Sequence, residues 1–214
     1  MCAPALRETG GRGFIIRAVP PPRPLPTRVV VFVDGQNLYH RCRERFGWPW
    51  VNPMALARAL VDEDRRRYGT HSHVLAGVRY YTGIHDRTRR PEEHKAMAAR
   101  LDRYRRQGVQ VFPIPLRYDP DGRGREKGVD VRIALDLTRL GTKGLYDVAV
   151  VVSEDSDLDE AARDVYALRD DERWIAVENA LPWAPHAKPR WLPSVKRHRR
   201  ITAELFERVR DRSP

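Results

Sequence analysis

The sequence contains only two cysteines, Cys2 and Cys42, among 214 residues. Two thiols exclude a disulfide framework and a zinc site built on cysteine ligands. We therefore expect a reducing, cytoplasmic setting. Long apolar runs are also missing: the uninterrupted ones are the length of a β-strand, far below the roughly 20 residues that a membrane-spanning helix needs. The sequence thus predicts that the protein has no membrane partner.

Signatures of nucleotide cofactors and of histidine-bound zinc are absent as well. No Gly-Lys-Ser/Thr phosphate loop and no Gly-x-Gly-x-x-Gly turn follows a predicted strand. The seven histidines show no paired helical spacing that would build a zinc site. These absences disfavour P-loop enzymes, nicotinamide enzymes and zinc hydrolases.

Acidic residues are outnumbered by basic ones. Forty Lys and Arg against 29 Asp and Glu leave a formal net charge of +11. Such an excess favours a polyanionic partner, because binding releases the counterions condensed on the polyanion. Nucleic acid is the first expectation.

The composition divides the chain into three parts. Residues 1–27 carry a Gly-rich and then a Pro-rich stretch, which predicts a flexible leader. Residues 28–180 alternate between strand-like and helix-like patterns and predict one domain. Residues 181–214 predict a basic extension with a terminal helix packed on that domain.

The alternating patterns predict the fold class. Apolar, β-branched runs indicate five strands, at residues 28–33, 74–82, 109–114, 148–152 and 173–177. Helical spacing between the strands implies crossover connections and covered sheet faces. We therefore expect an α/β fold, a Rossmann-like three-layer sandwich around a central, mainly parallel five-stranded sheet.

Acidic residues follow two of these predicted strands. Asp34 comes after five apolar residues, and Glu154, Asp155 and Asp157 follow residues 148–152. Carboxyl ends of neighbouring parallel strands meet in one crevice, so these carboxylates are expected to lie together. Ordinary local structure is the alternative: Asp-Gly is a common turn dipeptide. In the acidic segment after residues 148–152, Ser156 and Asp159 have the spacing of a capping box at the start of a helix.

A third acidic position lies on the predicted helix of residues 128–140. Helical periodicity places Asp130 in the middle of the apolar face, where a lone carboxylate costs several kcal/mol unless it is paired or bound to a cation. Asp136 falls beside the arginine face, four residues after Arg132, which predicts a surface ion pair. Asp34, Asp130, Asp155 and Asp157 together predict an oxygen-ligand site for Mg²⁺ or Mn²⁺, which suits phosphodiester hydrolysis.

Three sequence blocks carry a family resemblance. Val-Phe-Val-Asp34-Gly-Gln-Asn37, Lys127-Gly-Val-Asp130 and Val-Ser-Glu154-Asp155-Ser-Asp157-Leu resemble, in the same order, the signature blocks of NYN domains of the LabA-like kind, in the PIN-like nuclease superfamily. The resemblance covers about residues 28–178 and implies a PIN-like sandwich with an Mg²⁺- or Mn²⁺-dependent endoribonuclease site. It implies metal carboxylates at Asp34, Asp130, Asp155 and Asp157, a polar helper at Asn37 and a phosphate contact at Lys127.

The chain departs from the family pattern inside the third block. Glu154 stands where the family usually has Gly, and Leu158 stands where it has Phe. An added carboxylate either strengthens the metal site or obstructs it. This departure motivates an alternative function, a non-catalytic RNA-binding or adaptor module. A phosphoacceptor domain is disfavoured, because Pro115 and Leu116, not an aspartate, follow the predicted strand at 109–114.

Two basic segments predict contacts with RNA. Arg123 and Arg125 directly precede Lys127 and are expected to border the mouth of the site. The second segment holds Lys196, Arg197, Arg199 and Arg200 without a compensating acid, near Trp191, whose ring could stack on a base or merely pin the segment to the domain. RNA is the expected partner. A homodimer and an inhibitory protein partner are left open.

Overall fold

The computed structural model describes residues 22–170 and 172–213. Most of the predicted leader, residues 1–21, lies outside the described residues. The strands are β1 (Thr27–Asp34), β2 (His73–Ile84), β3 (Gln110–Pro115), β4 (Arg117–Tyr118), β5 (Gly124–Arg125), β6 (Val148–Val152), β7 (Ala176–Pro182) and β8 (Arg197–Ile201). The helices are α1 (Gly35–Phe46), α2 (Pro53–Tyr68), α3 (Pro91–Arg106), α4 (Val129–Thr142), α5 (Leu158–Ala167) and α6 (Ala203–Val209).

Six strands form the central sheet, in the order β3-β2-β1-β6-β7-β8. Every pair of neighbours in it is parallel. The predicted α/β, PIN-like sandwich is confirmed, but the expected number of five strands is wrong. The additional strand is β8, which comes from the segment predicted to be an extension. The remaining strands, β4 and β5, form a small antiparallel hairpin in the loop before α4.

The side chains of β1 alternate between the two faces of the sheet, as a strand buried on both sides requires. Val31 and Val33 pack into the cluster formed with α1, α2, α3 and α6. Val30 and Phe32 pack into the opposite cluster, formed with α4 and α5. The sheet is therefore the middle layer of three, and its helices cover both faces.

The strand order places a topological switch point between β1 and β6. The chain runs outward from β1 through β2 to β3, and then returns to the other side of β1 for β6, β7 and β8. Loops leaving β1 and β6 consequently diverge to opposite sides and leave a crevice at their carboxyl ends, which is where open α/β sheets bind ligands.

The aspartate predicted to form a surface pair on α4 is buried. Asp136 is only 4% exposed, and its Oδ2 accepts hydrogen bonds from Arg132 at 3.1 Å, Arg79 at 2.8 Å and the Tyr81 hydroxyl at 3.0 Å. The pairing with Arg132 is confirmed and the surface location is wrong. Arg79 comes from β2, a partner that helical spacing within α4 could not reveal.

Among the described residues, the six helices include none that is both long and apolar enough to span a membrane.

Candidate functional site

A cleft of about 490 Å³ opens at the switch point between β1 and β6. Its walls come from the start of α1, the segment that leads into α4, and the turn after β6. The lining residues are Asp34, Gln36, Asn37, His40, Glu126, Lys127, Gly128, Val129, Asp130 and Asp155. Three of the four predicted metal carboxylates therefore share one cavity with the predicted Asn37 and Lys127.

Asp34 is fixed where β1 passes directly into α1. It is the N-cap residue of α1, and its Oδ1 accepts the backbone N–H of Asn37 at 3.0 Å. Its Oδ2 accepts the Ser153 hydroxyl at 3.0 Å. The helix cap and the site carboxylate are thus the same group, so the turn interpretation and the site interpretation of Asp34 are compatible.

The electrostatics at Asp34 disfavour its ionised form. Burial, followed by the negative charges of Asp155 and Asp130, raises the pKa of Asp34 to about 6, although the hydrogen bonds from Asn37 and Ser153 act in the opposite direction. Like-charged carboxylates in a shared site raise one another's pKa in this way. A bound cation would relieve the penalty.

Two polar side chains bind the turn after β6 to the start of α1. Ser153 Oγ accepts the backbone N–H of Asp155 at 3.1 Å while it donates to Asp34. Asn37 Oδ1 accepts the backbone N–H of Glu154 at 3.1 Å. These bonds hold Asp34 and Asp155 on facing walls of the cleft. Ser153 had no predicted role, although its position inside the acidic block was a signal for one.

Asp157 lies outside the cleft. It is exposed, and its backbone N–H donates to Asp155 Oδ1 at 3.0 Å. The capping box predicted for Ser156 and Asp159 is wrong: the carboxylate of Asp159 instead accepts the backbone N–H and the hydroxyl of Ser194, both at 2.8 Å. Asp155 thus stabilises the turn before α5, whose N-cap residue is Asp157, and Asp159 anchors the segment that leads to β8.

Asp130 lies in the first turn of α4 and is half-buried against the cleft. The buried face of α4 runs through Ile133, Asp136 and Leu137, whereas Val131 and Leu135 are more than half exposed. Asp130 therefore occupies the cleft-side margin of the apolar face and not its centre. The predicted meeting with Asp34 and Asp155 is nevertheless observed, since all three line the same cavity.

Glu126 is a further carboxylate in the cleft, and no sequence pattern predicts it. Burial, then the charges of Asp34 and Asp130, raise its pKa to about 7. Its Oε1 is buried and has no hydrogen-bond partner among the described residues. The available signal was its place directly before the Lys127-Gly-Val-Asp130 block, in a loop otherwise rich in arginine.

Glu154 does not enter the cleft, although it is inside the acidic block. Its buried carboxylate forms an ion pair with Arg41 at 3.0 Å and another with Arg45, and both arginines project from α1. Their i, i+4 spacing brings them together on one face of the helix. The added carboxylate therefore neither joins the candidate ligands nor blocks them.

The basic residues near the cleft are accessible. Lys127 is exposed and lines the cavity. Arg123 and Arg125 belong to the β4–β5 hairpin region just before it, and both are exposed. Arg125 contacts Asp119 at 2.5 Å, but its side chain is 72% exposed, so this surface ion pair adds little.

The C-terminal basic segment differs from the expectation. Arg199 is buried, and it donates to Glu178 at 2.6 Å and to Asp64. Arg197 donates to the same two carboxylates, at 3.1 and 2.6 Å. Arg197 and Arg199 are therefore not the RNA-contacting residues that the sequence predicts. Their guanidinium groups instead neutralise buried acids inside the fold.

Lys196 and Arg200 are exposed on either side of these arginines. Arg200 lies over the ring of Trp183 at 4.7 Å, and Trp191 stacks on His198 with 4.6 Å between ring centroids. The sheet register aligns Arg197 with Glu178, Val150 and Val31, level with the middle of the strands. This segment is therefore two strands away from the cleft and does not border it.

The donor chemistry of the cleft fits a hydrated hard cation. Among residues 22–170 and 172–213, no three Asp, Glu, His or Cys side chains converge closely enough to enclose a metal ion by themselves. Mg²⁺ usually keeps several waters and takes only one or two carboxylates together with substrate phosphates. An open cavity lined by Asp34, Asp130 and Asp155 suits that mode of binding, whereas a closed structural cage does not match it.

The parallel sheet and the carboxylate cleft at its switch point define an α/β domain of the PIN-like class. The family model of the NYN domain matches residues 28–177, and the chain belongs to this family. The resemblance inferred from the three sequence blocks is thereby confirmed.

Among solved structures, the chain is similar to a protein of unknown function from Vibrio parahaemolyticus RIMD 2210633, with a TM-score of 0.55 and 18% sequence identity. The match covers 82% of this chain and 93% of that one, and at this identity it shows the shared fold alone. Comparison with curated proteins gives no match.

Proposed function

We propose that the protein is an endoribonuclease that hydrolyses RNA phosphodiester bonds with Mg²⁺ or Mn²⁺. The observation that carries the proposal is the convergence of Asp34, Asp130 and Asp155 from three separate segments on one cleft of an NYN domain. The net charge of +11 supports a polyanionic substrate, and a cation in the cleft would keep the carboxylates from repelling it.

When bound, the cation would neutralise charge on the phosphate and lower the pKa of a water molecule. Asp34, Asp130 and Asp155 are the side chains that would hold it. Ser153 and Asn37 act as positioning residues, because their hydrogen bonds hold Asp34 and the Asp155 turn in place.

Two further residues of the cleft have roles toward the substrate. Lys127 is exposed on the wall of the cleft. There it would contact the phosphate next to the scissile bond. Glu126 has a pKa of about 7, which suits a group that accepts or donates a proton near neutral pH. Arg123 and Arg125, just outside, attract the RNA backbone.

A circular single-stranded RNA incubated with Mn²⁺ tests both the reaction and its endonucleolytic character, because an exonuclease cannot begin on a closed strand. We expect the wild type to linearise the circle, and Asp34→Asn and Asp155→Asn to reduce this to background while they remain folded. Asp164→Asn is the matched control, since Asp164 is exposed on α5 and outside the cleft. Undiminished cleavage by both cleft variants would refute the assignment.

The non-catalytic RNA-binding module is the second candidate. Glu154, the departure from the family pattern that suggests this module, is paired with Arg41 and Arg45 outside the cleft. The observation that now favours it is the spacing of the cleft carboxylates, which do not form a closed ligand set. Calorimetric titration with Mn²⁺ separates the candidates: RNA binding without any Mn²⁺ affinity would favour the module.

A further inference from the structure

A second cavity, of about 380 Å³, opens beside the carboxylate cleft. The two cavities share Gln36 and His40, so a ligand can extend from one into the other. We call this second cavity the aromatic pocket; its lining also includes Gly35, Tyr39, Trp50, Tyr80, Thr82, Gly83, His85, Glu93, Ala96, Met97, Arg100 and Leu116. Its volume is within the usual range for small-ligand sites.

Aromatic side chains form part of the walls of the aromatic pocket. Tyr39 and Trp50 meet edge to face with 4.7 Å between their centroids, and both are half-buried, so part of each ring is accessible. The guanidinium of Arg100 lies 3.5 Å from the Trp50 ring centroid. This contact restrains the orientation of the indole, so the Trp50 side chain is preorganised for a ligand.

Polar groups interrupt these apolar walls. Gln36, Thr82, His85 and Glu93 offer hydrogen-bond donors and acceptors. The side chain of Arg100 is only 9% exposed, and its Nε forms an ion pair with Asp211 at 3.7 Å without a hydrogen bond among the described residues. The pocket therefore offers hydrogen-bonding groups beside its aromatic rings.

The start of α1 packs closely on β2 between the two cavities. A Cβ at Gly35 would lie 2.6 Å from both Cζ and the hydroxyl oxygen of Tyr80, and 2.8 Å from the backbone oxygen of Tyr81. Only glycine therefore lets α1 begin directly against Tyr80. As a result, Asp34 on the cleft side and Tyr80 on the pocket side are separated by little more than the backbone of Gly35.

We propose that the aromatic pocket binds one unstacked nucleobase of a single-stranded RNA whose adjacent phosphate lies in the carboxylate cleft. Aromatic rings with a few polar groups are what a splayed-out base requires, because every base has a π face and hydrogen-bonding edges. A base paired within a duplex could not enter. The inference rests on the proposed function for the identity of the ligand, and it adds that the substrate is single-stranded at the cut.

Binding measured in EDTA tests this without any cleavage. The probes are labelled single-stranded RNA oligonucleotides that carry one abasic nucleotide, moved along the strand one position at a time. We expect wild-type affinity to fall about tenfold or more at one position, because stacking of a single base is worth about 1–3 kcal/mol. Trp50→Ala should bind intact RNA more weakly and lose this dependence on the abasic position.

Two variants make the result specific to the pocket. Ala96→Trp, at an exposed position on the pocket rim, fills the cavity without removing a packed side chain, and it should abolish the abasic dependence even if Trp50→Ala folds poorly. Trp48→Ala is the matched control, since Trp48 is 40% exposed and outside the pocket lining. It should keep the wild-type pattern.

Three outcomes overturn the proposal. The first is that no position of the abasic nucleotide changes the affinity of the wild type, and the second is that the wild type does not bind RNA in EDTA. The third is that Ala96→Trp loses as much affinity at the abasic position as Trp48→Ala does. None of them depends on turnover. Cleavage without a Trp50-dependent base effect would refute the pocket and leave the nuclease assignment standing. A Trp50-dependent base effect without cleavage would support the pocket and refute the nuclease assignment.

Discussion

Ser153 Oγ lies 3.0 Å from Asp34 Oδ2 and donates a hydrogen bond to it, which joins the turn after β6 to the end of β1. The same oxygen accepts the N–H of Asp155. One hydroxyl thus holds two carboxylates of the cleft against their mutual repulsion, and its donated hydrogen bond lowers the pKa of Asp34. The geometry of the site depends on this residue although it is not a candidate ligand.

Ser153→Ala should therefore impair both stability and the site. It leaves the partly buried Asp155 N–H without its acceptor and removes a donor from Asp34, for a cost of about 1–3 kcal/mol in unfolding free energy. Mn²⁺ affinity should fall as well, because the pKa of Asp34 rises further. Urea unfolding and calorimetry measure the two effects. Ser156→Ala is the control: Ser156 is exposed, and unchanged values are expected there.

Asp34→Asn should stabilise the metal-free protein at neutral pH. The pKa of Asp34 is raised from 3.8 to about 6, so the folded state binds this proton more tightly than the unfolded chain does. Unfolding free energy consequently decreases as the pH rises from about 4 to about 6, and it stays lowered above that, by about 3 kcal/mol at most.

The asparagine variant lacks this decrease. In EDTA it should be about 1–3 kcal/mol more stable than the wild type at a pH of about 7.5, with no advantage at a pH of about 4. Urea unfolding at the two pH values checks this. A variant that is less stable at both would contradict the unfavourable ionisation of Asp34.

The fold was predictable where burial is achieved by apolar side chains. Val148–Val152 is five apolar residues, and the predicted strand matches β6 residue for residue. Strand β8 is the opposite case, since Arg197–Ile201 contains one apolar residue and looks like a solvated basic run. It is buried through Asp64 and Glu178, which lie far away in sequence, and no local pattern could reveal that pairing.

The residues of the candidate site likewise divide into those that the sequence could place and those that it could not. Asp34, Asp130 and Asp155 follow strands or begin a helix, so topology alone could bring them together. Glu126 is half-buried in the loop between the β4–β5 hairpin and α4, and Glu154 is paired with Arg41 and Arg45 outside the cleft. Side chains whose environment is set by loop packing or by long-range ion pairs cannot be placed from spacing.

Glu154→Gln should destabilise the fold with little effect on Mn²⁺ affinity. Glu154 and Arg45 are each only 3% exposed at the side chain, so the substitution leaves a buried guanidinium without its counter-charge. Breaking such a pair costs about 3–5 kcal/mol. Glu44→Gln is the control, because Glu44 pairs with Arg41 at the surface, where a change below about 1 kcal/mol is expected. A stable variant with weakened Mn²⁺ binding would instead place Glu154 among the ligands.

Arg199→Met should also act on stability and not on RNA binding. Asp64 is fully buried, and Arg199 and Arg197 together outweigh the effect of burial and lower its pKa. Removal of Arg199 leaves Arg197 to compensate Asp64 and Glu178, with Arg23 a more distant partner 3.9 Å from Glu178. A loss of about 3–5 kcal/mol in unfolding free energy is therefore expected from urea unfolding.

Arg200→Met is the matched control in the same strand, because Arg200 is exposed and rests on Trp183, a contact worth about 0.5–1 kcal/mol.

Lys127→Ala tests whether RNA is bound at the cleft. It should reduce the salt dependence of RNA affinity by about one counterion. If Arg199→Met were as stable as the wild type and bound RNA more weakly, the basic segment would be an RNA surface after all. If it unfolds as expected and Lys127→Ala alone changes the salt slope, the positive charge that meets RNA lies at the cleft, and the arginines of β8 serve the sheet.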